Sequence, residues 1–467
     1  MTGVIDEARP ASSSGAAPVT VTRPLTRARG PLRPGWPLSV LYLGFPLWWA
    51  LGLSHFVFIL AAIPMGVHLL KRGRVLAPRG FALWLLFLVW VLAGVFVLWV
   101  DAPGTAPEEG PTRMIGFTYR VAWYFACTTV MLYVANFSER ELPAKRLARL
   151  LGYMFVVTAV SGLLGILLPA FEMTSLLERI LPGAIKSGFI GTLIHPAISE
   201  HTNFLGVDLV RPSGVFGFAN AWGNNLAMFL PFFIWSWMGS GARWRRPLSV
   251  VVLVIAVIPA VYSVNRGLWV GLGMAGLYFA VRLALSGRVW VLQAVMAVSV
   301  VVAAIFVSSP LYDTVVLRIE TPHSNERRLN VTETVVELTA NGSPVMGYGS
   351  TRTLEGSFSS IAAAGTPKCP NCAAPPLGTQ GFMLRLILTT GFVGMALAIG
   401  FFIIQFLRHI TNRAPPYQIG CVLILQSMLY FFVYDSLESP LFTLMLAIGL
   451  MNRPQPQADS EPHASPS

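Results

Sequence analysis

Charged residues are scarce in this sequence: they make up 12% of its 467 residues, whereas hydrophobic residues make up 54%. A soluble domain is about a quarter charged, so the composition excludes an ordinary water-soluble globular protein. The mean hydropathy is +0.64. Apolar stretches long enough to cross a hydrocarbon core of about 30 Å recur between residues 36 and 451. The sequence therefore predicts one polytopic membrane domain embedded in a lipid bilayer.

Cysteine is also rare, with four residues in the chain. Cys369 and Cys372 form a single CPNC motif, and because there is no second ligand pair nearby, a zinc site is not predicted. A small disulfide-closed loop is the favoured state of this pair on an oxidising side of a membrane. Cys127 and Cys421 fall within predicted helices and are expected to be core residues. We predict neither a metal nor any other cofactor.

The apolar stretches predict an all-α polytopic membrane protein with about twelve transmembrane helices. Residues 36–70 are too long for one crossing, so they are expected to form a tight hairpin of two short helices with a turn at 52–55. The remaining helices are predicted at 80–100, 117–136, 150–168, 219–238, 248–262, 267–285, 289–308, 380–407, 417–434 and 440–451.

This topology explains the formal net charge of +12. Most of the 33 Lys and Arg residues fall on one side of the predicted membrane, and the positive-inside rule makes that side cytoplasmic. Both termini are then cytoplasmic, with disordered tails at 1–35 and 453–467. No cleavable signal peptide is apparent. Since the basic clusters set the orientation, a nucleic-acid partner is not predicted.

Two long external segments, 169–218 and 309–379, interrupt the transmembrane domain of 36–452. Long loops in a compact protein usually carry binding surfaces or lids, so function is expected there. The second segment lies between the ninth and tenth helices. It contains a predicted amphipathic helix at 326–340, followed by the turn-rich sequence GSPVMGYGS. We therefore expect this long loop to be partly helical.

Two arginines lie beside external helix ends. Arg266 stands between two predicted crossings, where it could reach the lipid headgroups or hold an anion. Arg211 precedes a helix whose first turns carry several asparagines, and polar residues at that depth often line a cavity. The asparagines could instead cap the helix or bridge to neighbouring helices. They are Asn220, Asn224 and Asn225.

Further arginines in or near the second external segment point to a phosphate ligand. Arg327, Arg328 and Arg385 offer planar guanidinium groups, which suit phosphate oxygens. The same loop also carries acidic residues, so solvated ion pairs are the alternative for individual loop arginines.

Four motifs occur in a fixed order: RPSGVFGFANAWGNNLAMFLP, YSVNRGLWVGL, NERRLNVTETVVEL with SPVMGYG, and GTQGFMLRLILTTGFVGM. This ordered set resembles the signature series of the O-antigen ligase family, whose members transfer or polymerise lipid-linked polysaccharide. The similarity covers 211–401 by motif and the whole chain by topology. It implies that Arg211 and Arg266 hold the diphosphate of an undecaprenyl-linked donor glycan. A third arginine is matched by Arg328 or Arg327. The family's Gly-x-Gly turn is matched by Gly347 and Gly349.

The chain departs from this family at one position. The family usually has a histidine just before the tenth helix, where this sequence has Gln380. Glutamine cannot act as a general base, although it can orient an acceptor hydroxyl or a sugar. Proton removal then falls to a loop residue, or it matters less if departure of the diphosphate dominates the barrier. The candidate loop residues are His323, Glu326 and Glu320.

The resemblance, taken with the arginines, implies a metal-independent, inverting glycosyltransferase, either a ligase or a polymerase. It would transfer a polyprenyl-diphosphate-linked glycan to a hydroxyl of a glycan or lipid acceptor, on the external face of a bacterial cytoplasmic membrane, in cell-envelope polysaccharide biosynthesis. One alternative is a secondary transporter of a small solute or anion, although the halves show no convincing internal repeat. The other is a non-catalytic scaffold of a polysaccharide assembly complex.

Overall fold

A computed structural model describes most of the chain as helix. Outside its described residues lie almost all of the predicted tails and the helix predicted at 289–308. The two cysteines of the CPNC motif also lie outside them. The described residues are 33–106, 112–183, 189–204, 207–239, 244–287, 323–353 and 376–454, with isolated positions between 288 and 322.

The elements within these residues are numbered here in chain order. The α-helices are α1 Trp36–Leu43, α2 Phe45–Ala50, α3 Val57–Arg72, α4 Phe81–Ala93, α5 Thr112–Ala135, α6 Ala144–Leu167, α7 Leu176–Ile180, α8 Phe189–Ile194, α9 Ala219–Phe233, α10 Arg245–Tyr262, α11 Arg266–Ala284, α12 His323–Gly342, α13 Phe382–His409, α14 Pro415–Val433 and α15 Ser439–Met451. The strands are β1 Ser199–Phe204 and β2 Val207–Pro212.

Five of the described helices are long and apolar enough to cross a membrane by length and composition. They are α6, α10, α11, α13 and α14, with 18 to 28 residues each. The apolar α4 and α15 are shorter. This set of helices is typical of a multi-pass membrane protein.

The described helices lie close to their predicted positions. The turn predicted at 52–55 falls between α2 and α3, and the loop helix predicted at 326–340 is α12, which is longer at both ends. The predicted tail at 453–467 needs a correction, because Arg453 belongs to the folded part. Its guanidinium donates to the main-chain oxygens of Leu142 at 2.7 Å and Val134 at 3.1 Å. A cation beside the last carbonyls of α5 is favourable.

A short β-hairpin departs from the all-α prediction. Strands β1 and β2 pair antiparallel, with Glu200 opposite Arg211. The carboxylate of Glu200 accepts a hydrogen bond from the backbone N–H of Ala219 at 2.8 Å, so the hairpin caps the first turn of α9. Strand β1 lacks the alternation of apolar and polar residues that marks a half-buried strand, and pattern reading therefore missed it.

Helix α13 is interrupted at Gly391, whose φ of 68° and ψ of −176° are not helical. Backbone groups near the break are bonded to segment 343–350, which follows α12. Tyr348 donates its N–H to the oxygen of Leu388 at 2.8 Å, and Phe392 donates to the oxygen of Pro344 at 2.8 Å. A neighbouring segment can compensate a broken helix in this way. The break therefore fixes the 343–350 segment against α4 and α13.

Candidate functional site

The 434–439 connection joins α14 to α15 and includes the first residue of α15. It has the sequence YDSLES and is the centre of a polar network. Phe382 donates its N–H to the oxygen of Tyr434 at 2.8 Å, which places the start of α13 against the 434–439 connection. Five side chains of the connection bond to other elements: Tyr434, Asp435, Ser436, Glu438 and Ser439.

Asp435 forms an ion pair with Arg385, which lies in the first turn of α13. Arg385 is 9% exposed. Within the described residues, Nε of Arg385 and Oδ1 of Asp435 are buried and have no hydrogen-bond partner. Buried polar atoms are nearly always bonded, so polar atoms left without a protein partner are a sign of a ligand or water site. The prediction that Arg385 binds substrate stays a prediction, but the residue does lie inside this network.

Glu438 has two hydrogen-bond partners from different parts of the chain. Its Oε2 lies 2.5 Å from Nδ1 of His55, in the turn before α3, and its Oε1 accepts from the hydroxyl of Tyr119 in α5 at 2.7 Å. Burial alone would raise the pKa of this carboxyl group, but His55, Tyr119 and Arg385 together hold the pKa below its usual value. Glu438 is therefore held as a carboxylate.

Asn224 and Asn225 bond α9 to the 434–439 connection. Asn224 donates to Oγ of Ser436 at 3.0 Å, and Oδ1 of Asn225 accepts from the hydroxyl of Ser439 at 2.7 Å. These contacts agree with the interpretation that the asparagines bridge neighbouring helices. Oδ1 of Asn224 is nevertheless buried with no partner among the described residues. One face of Asn224 thus remains able to accept a hydrogen bond.

Arg211 lies in strand β2 with 9% of its surface exposed. Its Nε donates to the main-chain oxygen of Ser263 at 3.2 Å, and its Nη2 donates to Oδ1 of Asn220 at 3.2 Å. Both of these partners are neutral. Glu200, opposite on β1, is instead bonded to the start of α9. Arg211 therefore keeps its positive charge without a carboxylate bonded to it in the described part of the chain.

The turn between α10 and α11 runs from Ser263, whose main-chain oxygen accepts from Arg211, to Arg266, the first residue of α11. Asn265 caps α11 by accepting from the N–H of Leu268 at 3.3 Å, and it also accepts from the hydroxyl of Tyr434. Val264 has a φ of 47°. A β-branched residue in the left-handed region is a strained outlier, and such strain collects at functional sites.

Gln380 lies two residues before α13 and folds back on its own loop. Its Nε2 donates to the oxygen of Pro376 at 3.1 Å, and its Oε1 accepts from the N–H of Gly378 at 3.0 Å. The side chain thus stabilises the turn that leads into Arg385. Its predicted role in orienting a substrate stays a prediction.

Gly347 and Gly349 have φ values of 66° and 70°, as a Gly-x-Gly turn requires. A Cβ on Gly347 would lie 2.6 Å from the backbone nitrogen of Gly391, and one on Gly349 would lie 2.3 Å from the oxygen of Gly94. Both glycines therefore allow close backbone packing of the 343–350 segment against α13 and α4. The buried Arg120 donates to the oxygen of Gly349.

Three predicted site residues, His323, Arg327 and Arg328, lie in α12, but their side chains are outside the described residues. Cys369 and Cys372 are outside them altogether, so the possible disulfide stays a prediction.

Sequence reasoning missed the network residues of the 434–439 connection and their partners His55 and Tyr119. One signal was present, because Asp435 and Glu438 stand between two apolar helices, and ionisable residues at such positions are by default functional candidates. His55 is separated from Glu438 by 383 residues, and no local pattern links them.

No protein-family model and no curated protein matches this chain.

Proposed function

We propose that this protein is a membrane glycosyltransferase that resembles the O-antigen ligases and polymerases. The observation that supports it best is the bond from Arg211 to Ser263. It joins two segments 52 residues apart and brings Arg211 to the turn that ends in Arg266. Segments from two of the resembling motifs are thus bonded to each other, and each carries one of the two proposed diphosphate-binding arginines.

The chemistry of Arg211 suits a diphosphate. A guanidinium group has five N–H donors in a fixed plane, and the hydrogen bonds of Arg211 go to neutral oxygens. Its charge is therefore not neutralised by a bonded carboxylate and can act on a bound anion. Planar, bidentate contacts to phosphate oxygens are the interaction for which arginine is best suited.

In the proposed reaction, the oxygen of an acceptor hydroxyl attacks the anomeric carbon of a polyprenyl-diphosphate-linked glycan. The bond from that carbon to the diphosphate oxygen breaks, and the diphosphate leaves with the electron pair. A single displacement inverts the configuration. Arg211 and Arg266 stabilise the negative charge that grows on the leaving group, which is where preorganised cations lower a barrier most.

The proposal includes a membrane topology. About twelve crossings place both termini in the cytoplasm and place Arg211, Arg266 and the 434–439 connection at the external ends of the helices. The donor lipid then lies in the bilayer with its diphosphate at this depth. The acceptor is a glycan or a lipid. The setting is a bacterial cytoplasmic membrane and the synthesis of a cell-envelope polysaccharide.

The interruption of α13 at Gly391 is the observation that favours a secondary transporter, because broken helices often form transporter sites. In transporters the freed backbone groups bind the solute or ion. Here the groups of Leu388, Thr389 and Phe392 are bonded to the 343–350 segment instead. The break is therefore weak support for a transporter. The bond between the Arg211 and Ser263 segments supports the transferase more strongly.

The test is a transfer assay with the full chain in liposomes that contain the polyprenyl-diphosphate glycans extracted from its host. Arg211→Ala and Arg266→Ala are expected to abolish transfer while membrane insertion is unchanged, whereas Gln380→His is expected to be tolerated. Arg282→Ala is the matched control, because Arg282 in α11 also donates to a side-chain amide and a main-chain oxygen. Wild-type turnover in both test variants would contradict the site.

Deletion of the protein in its host separates the alternatives. A transferase predicts that a lipid-linked glycan accumulates while one surface polymer is lost, and the length of the accumulated chain separates a ligase from a polymerase. Donor binding without turnover would identify a scaffold. Altered movement of a small solute with an unchanged glycan profile would identify a transporter.

A further inference from the structure

The proposed transfer must remove a proton from the acceptor hydroxyl, and Gln380 cannot accept it. A carboxylate in the site that is ionised, oriented and accessible would be suited to this step. Within the described residues around the 434–439 connection, the acidic candidates are Asp435, Glu438 and Glu200.

Two of these carboxylates are committed to other contacts. Asp435 forms an ion pair with Arg385, so one of its carboxylate oxygens is held by a permanent cation. Glu200 bonds to the N–H of Ala219 and is stabilised there by the positive end of α9. The partners of Glu438 are different, because they are the imidazole of His55 and the hydroxyl of Tyr119. Either of these can donate a hydrogen bond, and the imidazole can also take up a proton.

Glu438 is also more accessible than the histidine bonded to it. Its side chain is 28% exposed, whereas that of His55 is 9% exposed. The two hydrogen bonds fix the plane of the carboxylate, and each oxygen retains a further lone pair. An acceptor hydroxyl can therefore approach Glu438, while His55 lies behind it in the protein.

A small cavity lined in part by His55 offers a way out for the proton. His55 and His195 both line it, together with Ser54 and Thr192, and its volume is about 10 Å³. That volume is about enough for one water molecule, and the lining is part polar and part apolar. His195 contacts Glu178 at 3.0 Å and Glu172 at 3.6 Å, and the side chain of Glu172 is 71% exposed. His55 thus shares a cavity with a histidine whose carboxylate partner Glu172 is exposed.

We propose that Glu438 is the general base of the transfer reaction and that His55 positions it, an inference that rests on the proposed function. The hydroxyl oxygen forms its bond to the anomeric carbon as its proton moves to the carboxylate of Glu438. The diphosphate departs with the electrons of the broken carbon–oxygen bond. The proton on Glu438 then returns to solvent through His55 and the cavity, which restores the carboxylate.

The test compares Glu438→Gln with the wild-type protein in the same liposome assay. Glutamine keeps the shape but cannot accept the proton, so kcat is expected to fall by about 10²- to 10⁴-fold with little change in the KM for the donor. Glu438→Asp should retain part of the activity. The matched control is Glu141→Gln, which removes a carboxylate bonded to Ser138 between α5 and α6 and should leave kcat unchanged.

A pH profile provides a readout that a structural role would not change. Tyr119→Phe removes one donor from the carboxylate of Glu438, which raises its pKa. The acid limb of kcat against pH should then move to higher pH. His55, Asp435 and Arg385 also face this group, so Asp435→Asn serves as the comparison and should move the limb less.

The outcomes separate the two proposals. If the wild-type protein transfers no glycan, the proposed function is wrong. If it transfers glycan and Glu438→Gln does so with unchanged kcat, the function stands and the assignment of the base is wrong. An acid limb that stays in place in Tyr119→Phe also contradicts the assignment.

Discussion

The hydroxyl of Tyr434 donates to the side-chain oxygen of Asn265, which also caps the first turn of α11. One hydrogen bond thus joins the connection that carries Asp435 and Glu438 to the turn that carries Arg266. The segment that carries the carboxylates is thus bonded to the turn that leads into Arg266.

Removing the bond between Tyr434 and Asn265 should uncouple the 434–439 connection from the turn before Arg266. Tyr434→Phe leaves Asn265 able to cap α11 but deletes its second donor, so we expect a loss of about 1–2 kcal/mol in the free energy of unfolding and a lower rate of transfer. Denaturant titration in micelles measures the first and the liposome assay the second. Tyr262→Phe is the control, because Tyr262 lies near the same turn and is 47% exposed. Equal behaviour of the two variants would contradict the link.

The ion pair of Arg385 and Asp435 should behave as a coupled unit. Removal of either partner leaves the other charge in a mostly buried place. The losses of unfolding free energy in Arg385→Met and Asp435→Asn should therefore add up to more than the loss in the double variant. The double-mutant cycle is expected to give a coupling of about 1–3 kcal/mol. The same cycle on Arg453 and Glu139, where the carboxylate side is 54% exposed, should give less than about 1 kcal/mol. Coupling energies of similar size in the two cycles would contradict the prediction that Arg385 and Asp435 form a buried pair.

Gly347 should not accept a side chain. Gly347→Ala places a Cβ against the backbone of the broken α13 and requires an unfavourable φ, so a loss of about 1–3 kcal/mol or more is expected. Gly276→Ala is the matched control in α11, where a Cβ would meet nothing within 4 Å. That substitution should be neutral or slightly stabilising. Thermal unfolding of the purified variants makes the comparison, and a tolerated Gly347→Ala would refute the packing argument.

The strained turn before Arg266 gives a further prediction. Val264→Asn places a residue that tolerates positive φ at this position. The free energy of unfolding is therefore expected to rise by about 1 kcal/mol, and Tm should rise with it. If the strain helps to hold Arg266 in place, the transfer rate falls at the same time. Val264→Ile retains the β-branch and should change neither quantity. A lower Tm in Val264→Asn would show that the strain is not relieved.

The sequence predicted the described helices because long apolar stretches give a strong signal. It also singled out Arg211 and Arg266 from their place beside those stretches, and their role in binding an anion stays a prediction. It missed the β-hairpin around Arg211, whose strands have six residues each and whose first strand is mostly polar. It also missed the break at Gly391, since an isolated glycine inside an apolar helix is common.

The partners within the site were beyond sequence reasoning. Asn224 and Asn225 were expected either to line a cavity or to bridge helices, and only their bonds to Ser436 and Ser439 identify the bridge. The pairing of Glu438 with His55 depends on the packing of α5 and α15, which no local pattern encodes.

The 434–439 connection lies near the end of the described chain, yet it bonds to residues as early as His55. During synthesis the ribosome must therefore complete almost every other described helix before His55, Tyr119 and Arg385 can meet their carboxylate partners. Until then these polar groups sit in the nascent bundle without Asp435 and Glu438. The final helix thus acts as a closing step of biogenesis, and a chain released after α14 would present quality-control proteases with an unfinished polar interior.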